Sequence, residues 1–576
     1  MQSEIAGSLA ALAASLEVLV IGACMVRAEG YDHPAGDPKG SRSVVMAPNG
    51  IVATSHPLAS QVGIDVLKHG GNAIDAAIAA NATLGVVEPM MCGVGGDLFA
   101  IVWDAKTQKL YGLNASGRSP YAATRDVFAK RGLAQIPAQG PLTWSVPGCV
   151  DGWDQLRRRF GTKGWSELLA GAIEYAERGF PVSEITNADW QDDESLLARW
   201  ADSARTFLPT GRAPKAGELF RNPNLAATYR LIAVRERDEF YRGSIADKIV
   251  AYSQASGGLF AKKDFEDHTS TWVEPVSTTY RGYEVWELPP NGQGIAVLQM
   301  LNILEGYDLK SLGHNSAEYL HLLIEAKKLA FADRAKFYAD PDFGRLPVAE
   351  LVSKQYAARR RKLIDPSRAR PEVPAGDVRL SAGETTYLTV IDKGRNCVSL
   401  IQSNFHSFGS GMVPGDLGFV LQNRGNLFSL DAQHLNRLEP HKRPFHTIIP
   451  GFVTKSGKPY LSFGVMGGDM QPQGHVQVLL NIIDFGMNVQ QAGDAARFRH
   501  NGADTPTGGR MTDGGVVSLE TGIGEDVRER LRRKGHRLGK NAPGQYGGYQ
   551  AILIDPDTNM LHGASEPRKD GAAIGY

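Results

Sequence analysis

The chain has 576 residues, 42% hydrophobic and 22% charged, with 62 basic residues against 62 acidic ones. That length exceeds one typical domain and predicts two intimately packed halves or one large layered fold. The charge balance gives no global pull toward nucleic acid or an anionic membrane surface. The four scattered cysteines, Cys24, Cys92, Cys149 and Cys397, offer neither a CxxC pair nor a disulfide framework.

Residues 1–42 read as an N-terminal extension. Leu9 to Val26 is mostly apolar, and Ile21-Gly22-Ala23-Cys24 faintly resembles a lipoprotein cleavage box. No Lys or Arg precedes the stretch, Glu4 does, and Glu17 interrupts it, whereas a secretory signal has a positive n-region and an unbroken apolar core. The reading is an extended or misassigned start, a folded domain beginning near Ser43, and a cytoplasmic location. A periplasmic or secreted location follows only if residues 1–28 act as a signal. No other stretch could span a membrane.

Two small-residue helices come next. Pro57 suits a first helical position, with Leu58, Val62 and Val66 at helical spacing, and Gly70-Gly71 ends the helix. Asn72 can cap a second helix whose Ala73, Ala77, Ala80 and Leu84 form a narrow apolar face. Gly93-Val94-Gly95-Gly96-Asp97 precedes the strand Leu98–Trp103 rather than opening a helix after one, so a dinucleotide-binding reading is poor. From about Asp151 to Asp365 the pattern is mainly helical with charged outer faces, as in Leu225 to Arg237 and Ser316 to Tyr338. Tyr280–Trp286 reads as a strand after a turn. The basic run Arg359–Lys362 reads as a solvated helix face.

Pro366 to Gly383, rich in Pro, Ala, Gly, Ser and charge, is the linker candidate. It ends at Glu384-Thr385-Thr386-Tyr387-Leu388, which opens an alternating strand. Further strands are predicted near 387–391, 397–403, 417–422, 446–453 and 459–465. A cut before Thr385 would give that residue a free α-amine, so one residue would carry both nucleophile and general base. If the turn at Asp392–Asn396 is symmetric about Gly394, Ile391 pairs with Cys397 and the same register sets Thr385 opposite Ser403. Directly opposed residues have Cβ atoms about 4.5–5.5 Å apart, and a bulge would shift the pairing by one. The plainer reading of Thr385 is a good strand residue. Gly467-Gly468 could supply oxyanion-binding N–H groups or form an ordinary tight turn. Arg118 could bind a carboxylate or lie on the surface. His434 and His441 read as loop residues, and His434, His441 and His446 do not have metal-ligand spacing. No GxSxG, P-loop or HExxH occurs.

Taken together, these pieces resemble the γ-glutamyltransferase (glutathione hydrolase) family of N-terminal-nucleophile hydrolases, from about Ala47 to Tyr576. The resemblance rests on Gly70–Ala77, Glu239–Gly243, Ala332-Asp333-Arg334, Thr385-Thr386, Phe408–Gly411, Lys442-Arg443-Pro444 and Gly467-Gly468. It implies an α+β fold, a four-layer αββα sandwich, and autocleavage between Glu384 and Thr385. The products would be a large subunit, 43–384 after the extension, and a small subunit, 385–576. Thr385 would attack an amide, Ser403 would replace the family's supporting threonine, and Gly467 and Gly468 would hold the oxyanion. Arg118 matches the arginine that binds the substrate α-carboxylate. No metal or organic cofactor and no nucleic acid are implied; the partners are a small amide or γ-glutamyl substrate and the two subunits of one precursor, with a homodimer of heterodimers open.

The departures lie in the donor pocket. Where typical members carry a glutamine and then an aspartate for the donor's α-amine, this chain has Arg424 and Leu427. The asparagine near the supporting hydroxyl is Phe405, the serine pair is His446-Thr447, and Phe428 to Pro440 is too short for the usual lid. These features resemble the lid-less branch that includes oxamate amidohydrolase; the wider family includes glutaryl-cephalosporin acylases. The leading expectation is a self-processing threonine amidohydrolase acting on a carboxylate-bearing amide. The alternatives are a true γ-glutamyltransferase and, from another class, a catalytically silent binding or assembly protein.

Overall fold

The computed structural model describes residues 41–373, 384–541 and 543–576. The N-terminal extension through residue 40 and the linker from 374 to 383 lie outside the described residues.

Two seven-stranded antiparallel sheets form the centre. The first runs, edge to edge, Ala572–Gly575, Ile51–Thr54, Glu384–Ile391, Cys397–Phe405, Asp97–Asp104, Lys109–Ala115 and Thr271–Val273. The second runs Val45–Ala47, Leu561–Ser565, Tyr549–Ile554, Lys458–Val465, Gly451–Lys455, Tyr283–Glu287 and Val276–Tyr280. Side chains alternate between the two faces of a strand. Leu388, Val390, Val398 and Leu400 therefore pack with Ala76, Ala80, Leu84 and Trp153 of an outer helical layer. Tyr387, Ile391, Cys397 and Ile401 instead meet Phe452, Ile552 and Leu561 of the second sheet. The second sheet turns Val453, Leu461 and Phe463 to helices Ile295–Leu304, Ala317–Phe337 and Met470–Ile483. The fold is the four-layer αββα sandwich implied by the resemblance. Segments on either side of Thr385 supply strands to both sheets, so they share one core.

Several local readings change. The helix Ala73–Val87 is capped by Asn72, whose Oδ1 accepts from Ile74 and Asp75 N–H at 3.0 and 3.1 Å, but it is buried on every side rather than along a narrow face. The helix Ala317–Phe337 also runs through the interior: Glu325, Lys327, Lys328 and Arg334 are buried, where a charged outer face was expected. Tyr280–Trp286 is interrupted by a turn at Arg281-Gly282, both at positive φ, which makes a hairpin of Val276–Tyr280 and Tyr283–Glu287. Residues 417–422 form no strand, because Leu421 and Gln422 give their N–H groups to Met412 and Gly95 carbonyls in neighbouring loops. The strand expected from 446 begins only at Gly451. In the basic run, Arg360 reaches Asp333 at 3.2 Å and Arg361 caps the carbonyls of Asn302 and Ile303, so two of these side chains point inward.

A buried ion cluster ties the C-terminal end of the chain to the core. Arg568 donates to Glu520 through Nε and Nη2 and to Glu566 through Nη1, each at 2.6 Å, while Arg497 reaches Glu566 at 2.8 Å. Burial alone would raise the Glu566 carboxyl; Arg497 and Arg568 hold it below its ordinary range. Removing one partner from such a cluster strands a buried charge and costs about 3–5 kcal/mol. Arg568→Ala is therefore expected to lower the urea midpoint by that much stability at an unchanged m-value.

Candidate active site

Alternation in the strand Glu384–Ile391 sets Thr385 on the inter-sheet face and Thr386 on the helical face. From Thr386 to Ile391 the register against Gln402 to Cys397 is the symmetric one, and an irregularity then sets Glu384 opposite Phe405. The bulge falls at Thr385 itself, yet the hydroxyl partner is retained: Thr385 Oγ1 lies 3.4 Å from Ser403 Oγ, with both residues buried. Ser403 Oγ also accepts from Phe405 N–H at 2.8 Å and from Arg424 Nη2 at 3.0 Å. Phe405 has φ +82°, a conformation that a non-glycine residue seldom adopts.

Arg424 occupies a single 3₁₀ turn, Arg424–Leu427, and is fully buried. Its Nη1 donates to Thr447 Oγ1 at 2.7 Å, its guanidinium lies 4.4 Å from the Phe405 ring centroid, and its Nε has no partner. Among the described residues, no carboxylate lies within ion-pair distance of it. Burial lowers its pKa to about 9, against the pull of Asp97, so it stays cationic at neutral pH. Leu427 turns into the second apolar core.

Asp97, at the start of its strand, is the hub of this corner. Its Oδ1 accepts from Gly117 N–H, Gly148 N–H and Gln422 Nε2 at 2.9, 3.1 and 2.8 Å, and its Oδ2 faces His446 Nε2 at 3.1 Å. His446 Nδ1 accepts from Ile448 N–H at 3.4 Å, which assigns the proton to Nε2. Burial first, then the charge of Arg424, pushes the His446 pKa down to about 4, while Asp97 works the other way. The imidazole is neutral at pH 7.

Gly467 and Gly468 lie between the strand Lys458–Val465 and the helix Met470–Ile483, at φ +114° and +55°. Left-handed φ favours glycine. Among the described residues, no acceptor faces either N–H. In the following helical turn, Gln471 Nε2 is 3.5 Å from Thr385 Oγ1, and its Oε1 accepts from Ile449 N–H at 2.9 Å. The site thus sets a hydroxyl beside a helix N-terminus with two open donors. Gln293 holds this loop in place: Nε2 donates to Gly468 O at 3.0 Å and to Thr447 O at 2.6 Å, while Oε1 accepts from Arg334, itself paired with Asp469.

The structure brings Thr385, Ser403, Arg424 and Thr447 into one hydrogen-bonded group, with Gly467-Gly468 joined to it through Gln471 and Gln293, and sets His446 on Asp97, within the electrostatic reach of Arg424. It does not bring Arg118 into contact with them. Arg118 is paired with Asp340 at 3.2 Å and Asp342 at 2.8 Å and also donates to His441 O. Asp97, Gln293, Gln471 and the Arg334–Asp469 pair were not identified as site residues from sequence. Arg334 lies in a motif that carried the resemblance, but nothing in that motif reveals its partner. One cluster has metal-ligand geometry: His321, Glu325 and His536 offer atoms within 4.8 Å of one another. They already satisfy each other and Lys328, through a 2.8 Å imidazole–imidazole bond and a 2.8 Å Lys328–Glu325 bridge.

A family model described as gamma-glutamyltranspeptidase matches residues 59–576. The glutathione hydrolase-like YwrD proenzyme of Bacillus subtilis (strain 168) is 39% identical, covering 91% of this chain and 98% of its own. The acylase ACY 1 proenzyme of Pseudomonas sp. (strain SE83) is 37% identical, covering 91% and 93%. The crystal structure of a cephalosporin acylase from Bacillus halodurans superposes with a TM-score of 0.87 at 42% identity, covering 96% of this chain and 99% of that one.

The neutral His446 has a measurable signature. Its folded pKa of about 4 lies below the ordinary 6.5, so its contribution to stability is complete above pH 6.5 and is lost as pH falls from there toward 4. Between these limits unfolding takes up one proton at this site. Stability of His446→Gln is expected to fall less steeply than wild type over the same window, by up to about 1.4 kcal/mol per pH unit. Urea titrations at a series of pH values check this.

Proposed function

The chain belongs to the gamma-glutamyltranspeptidase family, and from that premise we propose a self-processing amide hydrolase with Thr385 as nucleophile and an acyl donor that carries a carboxylate but no α-amine. Cleavage between Glu384 and Thr385 frees the α-amine. That amine takes the Thr385 hydroxyl proton as Oγ1 attacks the amide carbonyl, and the oxyanion forms against the N–H groups of Gly467 and Gly468. Collapse expels the amine product, which leaves with the proton held by the Thr385 ammonium. Water then attacks the Thr385 ester under the same base and releases the acid. Preorganised donors aimed at the developing charge can supply about 10²–10³ in rate.

One observation carries the substrate reading. Arg424 is a buried cation, without a carboxylate partner among the described residues, hydrogen-bonded to the hydroxyl that touches Thr385. Leaving a charge unpaired in the interior costs several kcal/mol, which an incoming carboxylate offsets. An α-ammonium placed there would be repelled, and Leu427 offers it nothing. Sites that fail to pair a substrate's polar group can discriminate against it by ~10⁴-fold. Family members are named for both glutathione hydrolysis and acylase activity; the unpaired guanidinium favours the acylase side for this chain.

Denaturing electrophoresis of the purified protein should give two bands, 1–384 and 385–576 or trimmed versions of them. Thr385→Ala should give one band and no turnover; an active Thr385→Ala protein would reject the nucleophile assignment. For a glutaryl amide, Arg424→Met should lower kcat/KM ~10- to 100-fold, the worth of a charge-assisted hydrogen bond. Saturating turnover of γ-glutamyl-p-nitroanilide stimulated by a dipeptide acceptor, with no glutaryl-amide or oxamate hydrolysis, would instead establish true γ-glutamyl transfer.

A further inference from the structure

Thr386 aims its hydroxyl away from the site, into the helical layer. There Thr386 Oγ1, Ser55 Oγ and Glu88 Oε2 close a triangle: Ser55 to Glu88 is 2.5 Å, Ser55 to Thr386 is 2.6 Å, and Thr386 to Glu88 is 3.0 Å. Ser55 follows the strand Ile51–Thr54, which pairs with the Thr385 strand, and Glu88 caps the C-terminal end of the helix Ala73–Val87. All three residues are buried.

The hydrogens can be counted. Three contacts at these distances take three hydrogens to be attractive, and two hydroxyls supply two. An ionised carboxylate supplies none, so one edge of the triangle would press lone pairs together at hydrogen-bond distance. A carboxylic acid supplies the third and lets each oxygen donate once and accept once around the ring. We propose that Glu88 is held as a neutral carboxylic acid and that, by closing this ring on Thr386, it is a positioning residue that aims the neighbouring Thr385 hydroxyl into the site. The role rests on the reading of Thr385 as nucleophile; the protonation of Glu88 does not.

The surroundings agree. Burial, assisted by Asp570, pushes the Glu88 pKa up to about 7, against the two hydroxyl bonds and Lys569. His56, at the start of the helix Pro57–Lys68, is driven down to about 4 by burial, and burial raises the Cys92 thiol well above its ordinary value, so both are neutral at pH 7. Lys569 and Asp570 carry opposite charges. The pull of Lys569 toward an ionised Glu88 is therefore opposed by Asp570. The sign follows: the acid form is complete at low pH and is lost as pH rises through about 7, and the alignment of Thr385 is lost with it. A catalytic α-amine works in the opposite sense, gaining activity as it deprotonates near pH 7.7–8.0.

The test uses the full-length protein. Infrared difference spectra taken on either side of pH 7 should show, in wild type, loss of a protonated-carboxyl C=O band that is absent from Glu88→Gln. With its amide nitrogen in place of Oε2, Glu88→Gln donates to both hydroxyls at every pH and leaves one hydroxyl to donate to the other, so this variant should self-process and lose the fall in kcat above neutrality. Thr386→Val, which opens the ring, should lower kcat by up to ~100-fold with KM little changed, and Thr386→Ser should restore it. An identical carboxyl band in Glu88→Gln, an unchanged alkaline limb in that variant, or wild-type kcat in Thr386→Val would overturn the proposal. Turnover surviving Thr385→Ala would overturn the nucleophile reading and leave the band untouched, so the two failures are distinguishable.

Discussion

The strand Glu384–Ile391 is inserted between Ile51–Thr54 and Cys397–Phe405, and everything at the site depends on that double pairing. A strand bonded on both edges cannot slip without breaking two ladders, and a one-residue slip would exchange its faces. Locked in this register, two adjacent threonines serve different layers. Thr385 meets Ser403 and Gln471, in the helical turn after Gly467-Gly468, between the sheets, while Thr386 meets Ser55 and Glu88 under the helices. The same pairing explains why the chain does not divide into domains at Thr385: each sheet needs strands from both segments.

The electrostatics of the corner are organised by two buried groups of opposite kind. Asp97 is fully satisfied, with four donors around its carboxylate, including two backbone N–H groups from separate loops. Arg424 has no carboxylate partner among the described residues: two hydroxyls accept from it, the Phe405 ring lies against it, and its Nε–H finds no acceptor there. His446, bonded to Asp97, is kept neutral by burial first and then by the charge of Arg424. A satisfied buried ion stabilises a fold at best weakly, whereas an unpaired one is a standing cost. The cost is localised where a ligand can offset it.

Much of this was legible in the sequence, and the limits have physical causes. Turn symmetry predicted the register from Ile391 back to Thr386 because hairpin register is local; the direct pairing expected of Thr385 with Ser403 is broken by a bulge next to the positive-φ Phe405, across which the two hydroxyls still meet. Amphipathic helices were located well, but the full burial of Ala73–Val87 and Ala317–Phe337 was not, because a four-layer fold brings neighbours to every side of an inner helix. Buried charges such as Glu325, Lys328 and Arg334 look like a solvated face: the Glu325–Lys328 pair is local, but the Asp469 partner of Arg334 and the layers that cover all three come from far away in sequence. For the same reason Asp97, Gln293 and Gln471 gave no signal: each acts through hydrogen bonds whose other ends only the fold supplies.

Arg118, expected at a substrate carboxylate, and Arg424 illustrate how existing partners decide what a guanidinium can bind. Arg118 is the arginine that the resemblance implies at a substrate α-carboxylate, yet Asp340 and Asp342 already balance its charge, so a ligand there would have to compete with two carboxylates. Arg424 has no such competitor and is one hydrogen bond from the hydroxyl that touches Thr385. A guanidinium that is paired in the free protein gains little from an anion, because one ion pair replaces another; an unpaired buried one gains the whole difference between a stranded and a compensated charge. The carboxylate-binding role is thus better supported at Arg424 than at Arg118. On the proposed reading, a donor carboxylate held at Arg424 is separated from Thr385 by the single hydroxyl of Ser403.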